Sequence, residues 1–106
     1  SVVLVGVQVR QLEFRNRLEI IGHQYGCFKE IRWLGVLLGC VMSDSWAGKA
    51  GEVMKAAHDE GVMVLVAGPD VLRLAPSLVI TEEEMTQGLD ALERAIGKLA
   101  SQSKAA

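Results

Sequence analysis

The sequence is poor in the features that announce a function on sight. It holds two cysteines, two histidines and two prolines, and aromatic residues make up 5% of its 106 positions. Basic runs are missing as well: the net charge is −2 and the pI about 5.6, so the electrostatic footprint of a nucleic-acid binder is absent. No apolar stretch approaches the roughly 18–20 residues of a membrane span. No basic stretch precedes an apolar one at the N-terminus, so a signal peptide is not expected and the cytoplasm is the expected compartment. The chain also lacks a phosphate-cradling GxGxxG or GxxxxGK loop, HExxH, GxSxG, and a spaced carboxylate pair in a strand-end setting.

Cys27 and Cys40 stand thirteen positions apart, with no CxxC pairing and no neighbouring histidine. A zinc site needs about four ligands at close spacing, which this inventory does not supply. Both cysteines lie among apolar residues and read as small buried hydrophobes in a reducing compartment. His23 and His58 fall in separate candidate helices, neither beside a recognisable nucleophile, and read as solvated or satisfied side chains.

What the chain does have is apolar substance, 50% of it, which excludes a disordered tail and suits one domain with a modest core. Val3, Val5, Val7 and Val9 alternate like a strand. However, Leu4, Val7, Gln11, Phe14, Leu18, Ile21 and Tyr25 form one helical stripe, so a helix is predicted over 1–25, with Ser1 as its N-cap and Gly26 as its stop. The run Phe28 to Met42 is apolar on both parities, as in a strand covered on both faces. It is predicted to be one long bent strand, or two short ones in line, with Gly35 and Gly39 marking a bulge or a close backbone approach.

Ser43-Asp44-Ser45 reads as a turn with N-cap candidates, followed by a helix from about Ala47 to Glu60 whose buried stripe is Ala50, Val53, Met54 and Ala57. Val62 to Ala67 and Val71 to Ala75 read as a hairpin about Gly68-Pro69-Asp70, ended by Pro76. Thr81 and Glu84 form a capping box, and an acidic first turn suits the helix dipole. Capping therefore accounts for Glu82 to Glu84. Met85, Leu89, Leu92, Ile96 and Leu99 stripe the helix that follows, to about Ala100, with 101–106 as a frayed tail. The order helix, strand, helix, strand, strand, helix predicts an α+β fold: a small, mostly antiparallel sheet packed with helices.

Arg73 is the residue that stands out. It occupies the centre of an otherwise apolar strand and points, by alternation, away from Leu72 and Leu74. An arginine there needs a carboxylate partner or solvent, and its fork of donors fits a carboxylate bidentately. A salt bridge within the protein, a stem lying along the surface, and a ligand site are all compatible with the residues. Arg32, beside Trp33, reads as an edge ion pair.

Two segments resemble a known family. Glu30-Ile31-Arg32-Trp33-Leu34-Gly35-Val36-Leu37-Leu38-Gly39-Cys40-Val41 looks like the bent strand of the class III pyridoxal-phosphate aminotransferases. Gly61 to Leu78, through Gly68-Pro69-Asp70-Val71-Leu72-Arg73, looks like their closing hairpin, and the capping box and helix match their end. Within the class the chain is most similar to acetylornithine and succinylornithine aminotransferases, over about residues 1 to 100.

The resemblance implies the C-terminal small domain of such an enzyme, which moves an amino group between N-acylornithine and 2-oxoglutarate in arginine metabolism. It implies pyridoxal phosphate in the full-length enzyme, a large domain that binds it, and a homo-oligomer, with no nucleic acid and no membrane as partners. The family's hairpin arginine binds the substrate carboxylate, and Arg73 is the matching position. The family's Schiff-base lysine lies on a strand of the large domain, and none of Lys29, Lys49, Lys55, Lys98 and Lys104 stands in that motif. No cofactor is therefore expected on this segment alone, and the segment alone is expected to be inactive. Trp33 departs from the family, which usually has glycine there. The alternative is a non-catalytic binding or oligomerisation module.

Overall fold

Glycines with positive φ punctuate the chain where its helices and strands end, and the fold follows from those stops. A computed structural model describes residues 2–75 and 81–105, with side chains from 10–75 and 81–102. Helix α1, Val2–Tyr25, ends at Gly26, whose φ of 63° is the left-handed cap that glycine adopts without strain. Its stripe packs as the spacing predicts: Phe14, Leu18 and Ile21 are buried and Tyr25 lies against the core. Ser1 and Pro76, expected as a cap and as a strand end, and the side chains of Leu4 and Val7 lie outside the described residues.

The run from Phe28 to Met42 corrects the expectation of one long strand or two in line. It folds back on itself. Strands β1, Phe28–Leu34, and β2, Leu37–Met42, pair antiparallel with Leu34 opposite Leu37, which leaves a two-residue loop, Gly35-Val36. Gly35 has φ 67° and Val36 does not share the positive sign, the pattern of a type II′ hairpin turn. Gly39 is likewise no bulge: it sits in register between Arg32 and Arg73, and the register shift falls between Phe28 and Glu30.

A short 3-10 turn, Asp44–Trp46, precedes helix α2, Ala50–Asp59, so the helix begins three residues later than its sequence suggests. Ser43 caps neither element with its side chain; its hydroxyl donates instead to the Gly26 carbonyl at the end of α1. Ala50, Val53 and Ala57 are the buried stripe of α2. The predicted hairpin is present but shorter: β3, Leu65–Val66, pairs antiparallel with β4, Val71–Leu74. Helix α3, Glu82–Ala105, continues past Ala100. At its start the Glu84 N–H donates to Thr81 Oγ1 at 3.0 Å. The other half of the box differs, because Thr81 Oγ1 donates to Glu84 Oε1 at 3.2 Å.

The result is the predicted α+β class, with one more strand than the expected order held. Four antiparallel strands stand in the order β1-β2-β4-β3. One sheet face carries Leu38, Cys40, Met42, Leu72 and Leu74 into a core closed by the stripes of all three helices, including Leu89, Leu92 and Ile96 of α3. Removing that apolar surface from water, at roughly 25 cal/mol per Å², is the main force holding the layers together. Two ion-pair groups then fix α3 sideways. Arg17 of α1 reaches Asp90 at 2.9 Å, and Glu60, just past α2, holds Arg94 at 3.1 Å and also Lys98.

Candidate functional site

No described element covers the other sheet face, and the strand pairing decides what stands on it. Arg32 is opposite Gly39, Gly39 opposite Arg73, and Arg73 opposite Leu65, so these four form one row across the sheet. Arg32 behaves as its position suggests. It is exposed and pairs with Glu30 at 3.7 Å, a contact of little energetic weight in solvent. Gly39 leaves a gap in the row that Leu34 fills; a Cβ there would stand 2.6 Å from Leu34 Cδ1.

Arg73 is exposed, while its neighbours Leu72 and Leu74 are buried on the opposite face. Its guanidinium makes no hydrogen bond or ion pair with any described residue. It lines a cavity of about 620 Å³ between the β3–β4 hairpin and α3, with Met63, Leu65, Gln87, Glu84 and Arg94 among the lining. The other charged groups named are engaged: Arg94 with Glu60, and Glu84 with Thr81. Arg73 is thus an exposed cation, without a partner among the described residues, at the lining of a concave, largely apolar space. Its planar fork matches two oxygens of an anion such as a carboxylate or a phosphate.

The remaining candidates fall away from this cavity. Cys27 and Cys40 are fully buried and unbridged, and burial pushes both thiols up to about 12, so they are packing residues. His23 and His58 are exposed on α1 and α2. Among the described residues no group of His, Cys, Asp and Glu could hold a metal ion, and no helix is long and apolar enough to cross a membrane.

Two side chains that sequence reasoning passed over matter structurally. Glu60 is well covered, with its side chain 15% exposed; hydrogen bonds from Lys98 and then Arg94 hold its carboxyl below the ordinary value of 4.5. Asp70 accepts a hydrogen bond from the Gly48 N–H at 2.7 Å. Its place in a Gly-Pro-Asp turn was the only local signal for it.

The family model of the class-III aminotransferases matches residues 3–96. The chain belongs to that family. Acetylornithine aminotransferase 1 of Pseudomonas syringae pv. tomato is 54% identical over 99 residues, 93% of this chain and 24% of the relative. A succinylornithine transaminase/acetylornithine aminotransferase of Pseudomonas aeruginosa is 52% identical over 97 residues, 92% of this chain and 24% of the relative. Among solved structures, N-acetylornithine aminotransferase from Stenotrophomonas maltophilia superimposes with a TM-score of 0.84 at 39% identity, covering 92% of this chain and 27% of that one. This class-III chain therefore spans about a quarter of the length of its relatives.

The class implies pyridoxal phosphate, and the residues described do not fit it. A covalent site needs a lysine in a concave setting. Lys29 bridges to Asp44 at 3.7 Å, Lys49 lies over the Trp46 ring, Lys55 is solvated and Lys98 is bound to Glu60. None of them lines the cavity beside Arg73. The side chain of Lys104 lies outside the described residues.

Proposed function

We propose that residues 1–100 are the C-terminal small domain of an acetylornithine or succinylornithine aminotransferase. The whole enzyme exchanges an amino group between N-acylornithine and 2-oxoglutarate in arginine metabolism. It works in the cytoplasm as a homo-oligomer, with pyridoxal phosphate held on a large domain. One observation carries the reading: Arg73 is exposed, unpartnered among the described residues, and turned toward open space from a strand whose neighbours are buried. The similarity to acetylornithine aminotransferases over nine-tenths of the chain supports it.

In this reading the chain contributes orientation. A bidentate pair fixes the plane of the substrate carboxylate and so the direction of the reacting carbon. Positioning of that kind lowers the barrier by removing rotational freedom before the chemical step. The segment alone does not transaminate, because the cofactor's lysine and cradle belong to the large domain.

Substitution tests this directly. In the complete enzyme, Arg73→Gln removes a charge-assisted pair of roughly 3 kcal/mol, and KM for both carboxylate substrates rises about 100-fold. Thermal stability is expected to stay unchanged, since no described residue bonds to the guanidinium. An unchanged KM would remove the ground for the proposal.

A second reading, an assembly module without catalysis, has one observation in its favour. Leu34, Val36, Met63 and Leu65 are exposed on or beside the open sheet face. The two readings converge if that face is where the large domain sits. Light scattering on the chain alone separates them further: a strict monomer at high concentration argues against self-assembly through this face.

A further inference from the structure

Arg73 can hold a carboxylate in a fixed place only if β4 is itself fixed, and β4 sits in a small ladder. It has four residues of pairing with β2 and two with β3. Ribbons this short fray at their turns unless something else secures them. Here the turn is secured at three points. The Asp70 carbonyl accepts from the Met42 N–H at 2.7 Å, and the Pro69 carbonyl accepts from the Ala50 N–H at 3.1 Å. The Asp70 carboxylate, through Oδ1, accepts from the Gly48 N–H at 2.7 Å.

The first contact extends the β2–β4 ladder by one rung, and the other two reach the segment that leads into α2. Any residue at position 70 could supply the backbone contact. Only an acceptor side chain of the right reach supplies the third. The Gly48 backbone, with φ 78° and open space where a Cβ would be, is free to present that N–H.

We propose that Asp70 is a positioning residue for Arg73: its carboxylate, bound to the Gly48 N–H, locks the hairpin turn to the start of α2 and so sets the place and direction of the guanidinium. The inference rests on the reading of Arg73 given above. Arg73 lies three residues further along β4, about 10 Å at strand rise, so a tilt at the turn is carried to the guanidinium. A displaced guanidinium meets the carboxylate out of line, and a bidentate charge-assisted pair weakens as its alignment is lost.

The test uses the complete enzyme loaded with pyridoxal phosphate. Asp70→Ala is expected to raise KM for N-acylornithine and 2-oxoglutarate about tenfold, with kcat within about twofold of the parent. Asp70→Asn retains an oxygen that can accept from Gly48, and brings KM back to within about twofold. If Asp70→Ala fails to fold, Asp70→Glu takes its place: it keeps the charge but moves the acceptor by one methylene, and it too is expected to raise KM. Arg73→Gln is run alongside. If Arg73→Gln raises KM while Asp70→Ala or Asp70→Glu leaves it unchanged, or if Asp70→Asn is as harmful as alanine, the positioning role is overturned and the Arg73 reading survives. If Arg73→Gln has no effect on KM, both fall together.

Discussion

Replacing Gly35 by alanine discriminates between two shapes of the same segment by the sign of the result. In the hairpin, Gly35 is the first residue of a two-residue turn and holds φ 67°. No atom lies within 4 Å of the position a Cβ would take, so crowding adds nothing and the whole penalty is conformational. For an L-residue that penalty is about 1–2 kcal/mol. In a domain of this size each kcal/mol lowers Tm by roughly 4–8 °C, so the fall should be roughly 4–16 °C, read by thermal denaturation with circular dichroism. Had Phe28 to Met42 been one extended strand, the same change would relieve an interior glycine and stabilise by about 0.5–1 kcal/mol. Gly51→Ala serves as the control: the site is exposed in α2, has ordinary helical φ and no near neighbour, and the substitution should raise stability by about 0.5–1 kcal/mol. A Gly35→Ala protein that melts at or above the parent temperature, while Gly51→Ala behaves as stated, refutes the hairpin.

Two further outcomes follow from groups already described. Cys27 and Cys40, pushed by burial from 9.0 to about 12, should carry about a thousandfold less thiolate at neutral pH than free cysteine. A disulfide reagent should thus label them only as fast as the fold opens, and rapid stoichiometric labelling of the native chain would contradict their burial. Glu60, whose carboxyl is held low first by Lys98 and then by Arg94, adds stability that is complete above its ordinary value of 4.5 and is lost as pH falls through the lower folded value. Acid unfolding of Glu60→Gln should therefore show a shallower pH dependence than the parent below about pH 4.5, and identical slopes would show that the pairing does not matter.

The ends of the chain's stronger signals were legible in its residues. Thr81 and Glu84 announced α3 because a capping box is a local event, complete within four residues. Gly68-Pro69-Asp70 announced the β3–β4 turn for the same reason, and alternation about Leu72 and Leu74 placed Arg73 on the open face. The β1–β2 reversal was hidden by its own composition. β2 lies over the core and also carries apolar residues on the open face, so the two-residue alternation that marks a strand edge is lost there. Two glycines four apart then offered two places to bend, and only one of them turns. The start of α2 was misplaced because Ser43 has a partner outside its own segment, the Gly26 carbonyl. Asp70 and Glu60 escaped notice on similar grounds: Gly48 is 22 residues from the first, and Arg94 and Lys98 are 34 and 38 from the second.

The two tryptophans occupy unlike places. Trp46 is 8% exposed in the turn before α2, with the Lys49 ammonium 5.6 Å from its ring centre, whereas Trp33 lies partly covered on β1 of the edge hairpin. Their emission should differ in colour and in access to a soluble quencher. Replacing either indole by phenylalanine would leave a single lamp, one lighting the outer hairpin and the other the helical layer, and the order in which the two dim on heating would show which half of the molecule lets go first.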